Sequence, residues 1–147
     1  MLKILALGLP VMLMCLTIQA ALTGLSVRHF LRNYAPNAPE HTPWFGIRLL
    51  MAVMVILMLG NVLQISIWGA LFLWLGEFTE LYEAVYHSAV NFTSLGYGDV
   101  VMSKSWKLLG PLEAANGVLM CGMSAGALMA VMQALIKDEL RKRKLLE

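Results

Sequence analysis

Charge is what this sequence has least of. Only 14% of its 147 residues are Asp, Glu, Lys or Arg, where soluble domains approach a quarter. With 59% hydrophobic residues and a mean hydropathy of +0.72, the balance excludes an ordinary soluble domain and points to a bilayer. Cysteine is nearly absent as well. Cys15 and Cys121 both lie in apolar runs, without metal-ligand spacing, which excludes a disulfide scaffold and a zinc site and leaves two packed thiols. No nucleophile–base pair, acid cluster or phosphate-cradling loop stands out, so the reading is of a protein that is not an enzyme and has no cofactor. A net charge of +2 carries no nucleic-acid footprint. The His29, His41 and Pro-rich stretch offers no ligand partners, and internal repeats are missing.

Three long apolar runs are present. Ile4 to Leu25 follows a single lysine, Lys3. A cleavable signal peptide and a retained transmembrane helix of about 20 residues both fit it; Pro10 would kink such a helix. Val27 to Pro43 is polar and carries Pro36, Pro39 and Pro43, a pattern of extended or turn backbone. Trp44 to Leu75 is the second run, with tryptophans near both ends suited to the two interfaces. Asn61 and Gln64 fall in its middle, and amides at that depth hydrogen-bond across helices. The third runs from Gly110-Pro111 to about Ile136, with Glu113 and Asn116 near its start. Between the second and third lies a short mixed stretch, Glu77 to Phe92, too short to span. Thr79 offers a cap for a helix there, with Glu80 and Glu83 in its first turn. His87 in that stretch reads as packed or as a sensor of outside pH.

That stretch ends in Thr93-Ser94-Leu95-Gly96-Tyr97-Gly98-Asp99. Its residue order suits a backbone shape rather than burial. Glycine reaches positive φ without a Cβ clash, and two glycines one residue apart let consecutive carbonyls turn the same way. A loose turn between helices is the plain alternative, but a chance match at five specified positions is on the order of one in ten thousand for a chain this size. Ser94-Leu95-Gly96-Tyr97-Gly98-Asp99 resembles the T-V-G-Y-G-D filter of potassium channels. The resemblance implies that the carbonyls of Ser94, Leu95, Gly96 and Tyr97 replace the water shell of K⁺. It also implies that the Ser94 hydroxyl completes the innermost site, that Tyr97 braces the loop from behind, and that Thr93, Gly98 and Asp99 support it. Leu95 stands where the family has valine; the carbonyl makes the contact, so selectivity is expected to survive.

The resemblance implies an all-α membrane protein of the pore-domain family: three transmembrane helices, a re-entrant pore helix and a filter loop in a tetrameric pore. The expected division is an extra N-terminal helix over residues 1–26, a cytoplasmic linker over 27–43 and a pore domain over 44–136. The pore domain divides into an outer helix (44–76), pore helix (79–93), filter (94–99) and inner helix (106–136), with a basic tail over 137–147. In the family a mid-helix glycine of the inner helix can be a gating hinge, which makes Gly117 and Gly122 candidates beside the plain reading of tight packing; Gly122 and Gly126 also form a small-xxx-small pair. Glu113 is expected either to bond the back of the pore helix or to meet water, since a bare acid at that depth is costly.

One filter stretch per chain implies a homotetramer, because a K⁺ filter takes four loops. With the filter outward, Arg28, Arg32, Arg48, Lys137, Arg141, Lys142, Arg143 and Lys144 fall inside and Lys3, Lys104 and Lys107 outside, which obeys the positive-inside rule. That places a multi-pass protein in the cell membrane, its N-terminus outside and its C-terminus cytoplasmic. The tail is suited to anionic lipid, and Glu77, Glu80, Glu83 and Asp99 would make an acidic mouth. No run carries spaced arginines, so no voltage sensor is expected, and the short tail leaves no ligand-binding domain. The functional expectation is passive, K⁺-selective conduction; the alternatives are a weakly selective cation channel and a non-conducting accessory membrane protein.

Overall fold

The computed structural model describes residues 1–34 and 43–144. They form four helices: α1 (Leu2–Asn33), α2 (Pro43–Trp74), α3 (Leu81–Phe92) and α4 (Leu109–Lys144). No strand occurs among the described residues. α1, α2 and α4 are each long and apolar enough to cross a membrane. α3, at 12 residues, is about 18 Å long and cannot cross.

Helix directions follow from the close contacts. Gly60 of α2 abuts Leu22 of α1, and Gly46 of α2 abuts Leu135 of α4, so α2 runs antiparallel to both. Gly8 abuts Leu109 and Leu112, at the start of α4, so α1 and α4 run parallel. α3 returns along the last turns of α2, Val85 against Gly69. The start of α1, the end of α2, all of α3 and the start of α4 therefore share one end of the molecule with the 93–99 loop.

Side chains pack in two apolar clusters. At the loop end, Cys15, Trp68, Phe72, Phe78, Phe92, Leu109 and Met120 are buried together. Toward the other end, Phe30, Leu49, Val53, Leu57, Ala127 and Val131 form a second cluster. Between them runs a fully buried polar bridge: Gln64 Nε2 donates to Gln19 Oε1 at 2.7 Å, and Gln19 Nε2 donates to Ser124 Oγ at 2.7 Å. It ties α1, α2 and α4 together at mid-depth, where the only alternative for these amides is hydrocarbon. Gln64 thus bonds across helices as its position suggested, whereas Asn61 Oδ1 finds no partner in its own chain.

Helix ends differ from the sequence expectation in an instructive way. α1 continues past residue 26 to Asn33, and α4 past 136 to Lys144. Polarity marks where a bilayer ends, not where a helix does: Arg28 and Arg32 are helix formers, favourable near a C-terminus, and Asn33 Nδ2 bonds back to the His29 carbonyl at 2.8 Å. Of the expected linker, residues 35–42, including His41, lie outside the described residues, as do residues 145–147 of the tail. α4 starts at Leu109 rather than 106, which puts Pro111 in a first turn, where its missing N–H costs nothing. Thr79 does not cap α3; the N-cap is Glu80, without a side-chain bond. α2 stops at Trp74, not 76, because Gly76 takes φ +73° and its N–H turns back to the Leu73 carbonyl at 3.0 Å while Glu77 N–H reaches Phe72 O at 3.2 Å. That is a glycine-terminated Schellman end.

Candidate functional site

α3 ends in the same hydrogen-bond pattern. Ser94 N–H turns back to Asn91 O at 2.8 Å and Leu95 N–H to Val90 O at 3.0 Å. The left-handed residue in this case is Ser94, at φ +58°, the one non-glycine with positive φ among the described residues. Where α2 uses glycine, α3 uses serine, at a steric cost of roughly 1–2 kcal/mol. A residue kept in such a conformation despite its Cβ points to a role for the side chain. Thr93 precedes it in right-handed backbone, its hydroxyl bonded to Ala89 O at 2.7 Å.

Past Ser94 the sign of φ alternates. Gly96 is at +61° and Gly98 at +73°, while Leu95 and Tyr97 are not positive. Alternating handedness is the backbone condition under which successive peptide units turn the same way, with carbonyls on one side and N–H groups on the other, instead of opposing one another as in a strand. All of residues 93–99 are exposed on the single chain, and nothing lies within 4 Å of the Cβ positions of Gly96 and Gly98. Tyr97, expected to brace the loop, is 67% exposed; no brace comes from it within its own chain.

The brace comes from α3. Tyr86 Oη donates to Asp99 Oδ2 at 2.6 Å, and Asp99 Oδ1 accepts from Val100 N–H at 3.0 Å. The Tyr86 hydroxyl holds the Asp99 carboxyl below its ordinary value, and the carboxylate in turn raises the tyrosine. At the next residue, His87 Nδ1 bonds the Val100 carbonyl at 2.9 Å and its Nε2 meets Asn91 Nδ2 at 2.9 Å. The ring is buried between Phe72 and Phe78, and that burial lowers its proton affinity. Asn91, the start of an Asn-Phe-Thr glycosylation pattern, spends its amide here.

Farther along, Glu77 clamps the returning segment. Its Oε2 accepts from Ser103 N–H at 2.6 Å and its Oε1 from Ser103 Oγ at 2.7 Å. Glu77 therefore serves a bidentate structural bond rather than an open acidic mouth. Neither Tyr86 nor Glu77 carried a sequence signal for these partners; each bond spans a loop whose path only the fold fixes.

Behind α3, Ser88 Oγ donates to the Ile65 carbonyl at 2.7 Å and also contacts Glu113 Oε1. Glu113 is wholly buried, so of its two expected surroundings the structure has the back of α3. The two hinge candidates separate. A Cβ on Gly117 would stand 1.9 Å from the Phe92 carbonyl oxygen, whereas nothing lies within 4 Å of one on Gly122. Gly117 is where α4 crosses the last residue of α3, a packing position; Gly122 is unconstrained by its own chain.

A protein-family model described as ion channel matches residues 61–134, from the middle of α2 through α3 and the loop to the lower part of α4. No curated protein matches the chain. No solved structure matches it. The matched span holds the crossing at Gly117, the short helix and the alternating loop, and the chain belongs to this ion channel family, that of two-transmembrane potassium-channel-type pores.

Proposed function

We propose that four copies of this chain surround one axis and conduct K⁺ passively, without enzymatic chemistry. The observation that carries the reading is the sign alternation at Ser94, Gly96 and Gly98 in a loop that its own chain leaves bare. One such loop presents carbonyls on one side only; a ring of four surrounds an ion and replaces its hydration. Ser94, Leu95, Gly96 and Tyr97 supply the oxygens, and K⁺ is the permeant ion rather than a cofactor. A neighbouring copy would cover the Tyr97 ring.

The filter faces outward, since the described basic residues Arg28, Arg32, Arg48, Lys137 and Arg141 gather at the opposite end, in keeping with the positive-inside rule. The N-terminus then lies outside and the C-terminal end of α4 in the cytoplasm, where its basic residues meet anionic lipid. In this arrangement Gly122 is the hinge position and Glu113 couples the inner helix to the pore helix.

The test is K⁺ flux from liposomes holding the pure protein, with Gly96→Ala beside it. A Cβ at φ +61° is strained by roughly 1–2 kcal/mol per copy, so flux is expected to vanish while the tetramer persists in mild detergent. Equal K⁺ and Na⁺ permeability of the native protein would replace selective conduction by weak cation selectivity. A stable monomer or dimer would defeat the pore altogether.

A further inference from the structure

We propose that His87 is the proton-binding site of an extracellular pH switch that acts on the segment leaving the filter; the sidedness and the readout rest on the channel reading above. Both ring nitrogens are committed. A carbonyl can only accept, so Nδ1 carries the hydrogen and donates it to Val100 O at 2.9 Å. Nε2 is then a bare lone pair, and it accepts from Asn91 Nδ2 at 2.9 Å. The neutral ring satisfies both neighbours, and only that form does.

A second proton lands on Nε2 and points at an amide N–H. Two donors then face each other, and either the bond opens or the Asn91 amide turns over. Turning it over presents the amide oxygen to Nε2 in place of the N–H. Asn91 is not free to drift, because its side chain packs on Gly110 and its own carbonyl holds the Ser94 N–H. The charged ring also sits between two phenyl rings, Phe72 and Phe78, with almost no exposure to water, an environment that opposes charge. Its way out is a cavity of about 300 Å³ lined by His87, Asn91, Met102, Lys104, Lys107 and Pro111. Moving there, the ring releases Val100, the residue after Asp99.

The groups facing His87 divide. Glu77, from the α2–α3 connection, and Asp99, from the filter exit, favour the cation. Lys104 and Lys107, which line the same cavity, oppose it. Tyr86, one residue back, is occupied by Asp99. Burial outweighs the two acids and leaves the ring below its ordinary value of 6.5. The neutral, bonded form therefore holds at and above neutral pH and is lost as pH falls below that value.

Sided flux or current measurements with the pure protein test this. Acidifying the filter side from about pH 7.5 to about pH 5 is expected to cut K⁺ flux about tenfold. His87→Asn places an amide N–H near the position of Nδ1 and does not titrate, so its flux is expected to vary less than about twofold over the same range. A native flux that stays flat, or an equal fall in His87→Asn, overturns the proposal. Should that variant fail to assemble, ¹⁵N NMR of the native imidazole decides: an Nδ1–H tautomer whose protonation tracks the loss of flux supports the switch, and an Nε2–H tautomer refutes it. Absence of flux at every pH refutes the channel reading instead, and the tautomer remains readable.

Discussion

The two ends of this molecule are held by different forces. At the loop end, side chains bond backbone across elements: His87 to Val100, Glu77 to Ser103, Ser88 to Ile65, with Ser88 against Glu113 as well. At the other end the same helices meet mainly through Phe30, Leu49, Val53, Leu57, Ala127 and Val131, with a Tyr34–Asp138 bond between the ends of α1 and α4 beyond them. In a bilayer the second kind of contact gains little from leaving lipid for protein, because hydrocarbon is as apolar as leucine; it is sustained by packing. Directional bonds fix a geometry, and packed methyls permit sliding. A filter needs the first and a moving inner helix the second, so the difference fits the proposed division of labour along α4.

The largest break in that comparison is one methyl group. Gly117→Ala drives a Cβ into the Phe92 carbonyl at 1.9 Å, and that carbonyl belongs to a helix end that cannot rotate away. Overpacking costs about 1–3 kcal/mol where side chains give; backbone does not give, so the cost lies at or above the top of that range. Loss of the assembled protein on size exclusion is the expected result. Gly122→Ala, with open space around its Cβ, is expected to assemble normally and even to gain helix propensity, up to about 1 kcal/mol. If both variants assembled equally well, the crossing of α3 on α4 would be misplaced.

A second contrast sets one polar contact against one apolar one. Glu113→Ala removes a wholly buried side chain and its bond to Ser88, which keeps the Ile65 carbonyl as acceptor; about 0.5–1.5 kcal/mol is expected from the lost bond, and the cavity adds to it. Leu57→Ala at the far end opens a cavity but forfeits little transfer energy in lipid, so its cost is expected to fall below the 2–5 kcal/mol usual in soluble cores. Thermal unfolding in detergent ranks the pair. A larger loss for Leu57→Ala would mean that apolar packing, and not the bonds behind the filter, holds the helices together.

The sequence made the spans and the loop legible because both are written in neighbouring residues. Apolar runs announce α1, α2 and α4, and Gly96 and Gly98 announce positive φ. What it hid lies between residues far apart. Gly117 and Gly122 look alike in the chain, and only the position of Phe92 tells the packing glycine from the free one. Tyr86 reads as one more aromatic on a short helix until the loop returns Asp99 to it. The helical ends of α1 and α4 were hidden for a different reason: hydropathy reports the solvent of a segment, and a helix can leave the membrane without ending.

The smallest expected effect sharpens the comparison at the filter itself. Tyr86→Phe removes one hydroxyl and leaves the ring, so the fold is expected to be unchanged. Asp99 loses the bond that chiefly lowers it, and its carboxyl is expected to titrate at a higher pH than in the native protein, which carbonyl ¹³C shifts would register. The sign follows from linkage. A carboxyl lowered in the folded state contributes above its unfolded value and loses that contribution as pH falls through the folded one. Without the hydroxyl the loss of the Asp99 contribution begins at a less acid pH than in the native protein. Both groups are open to water, so the change is one of onset rather than of stability at neutral pH. An unmoved Asp99 titration in Tyr86→Phe would leave His87 and Glu77 as the braces of this segment.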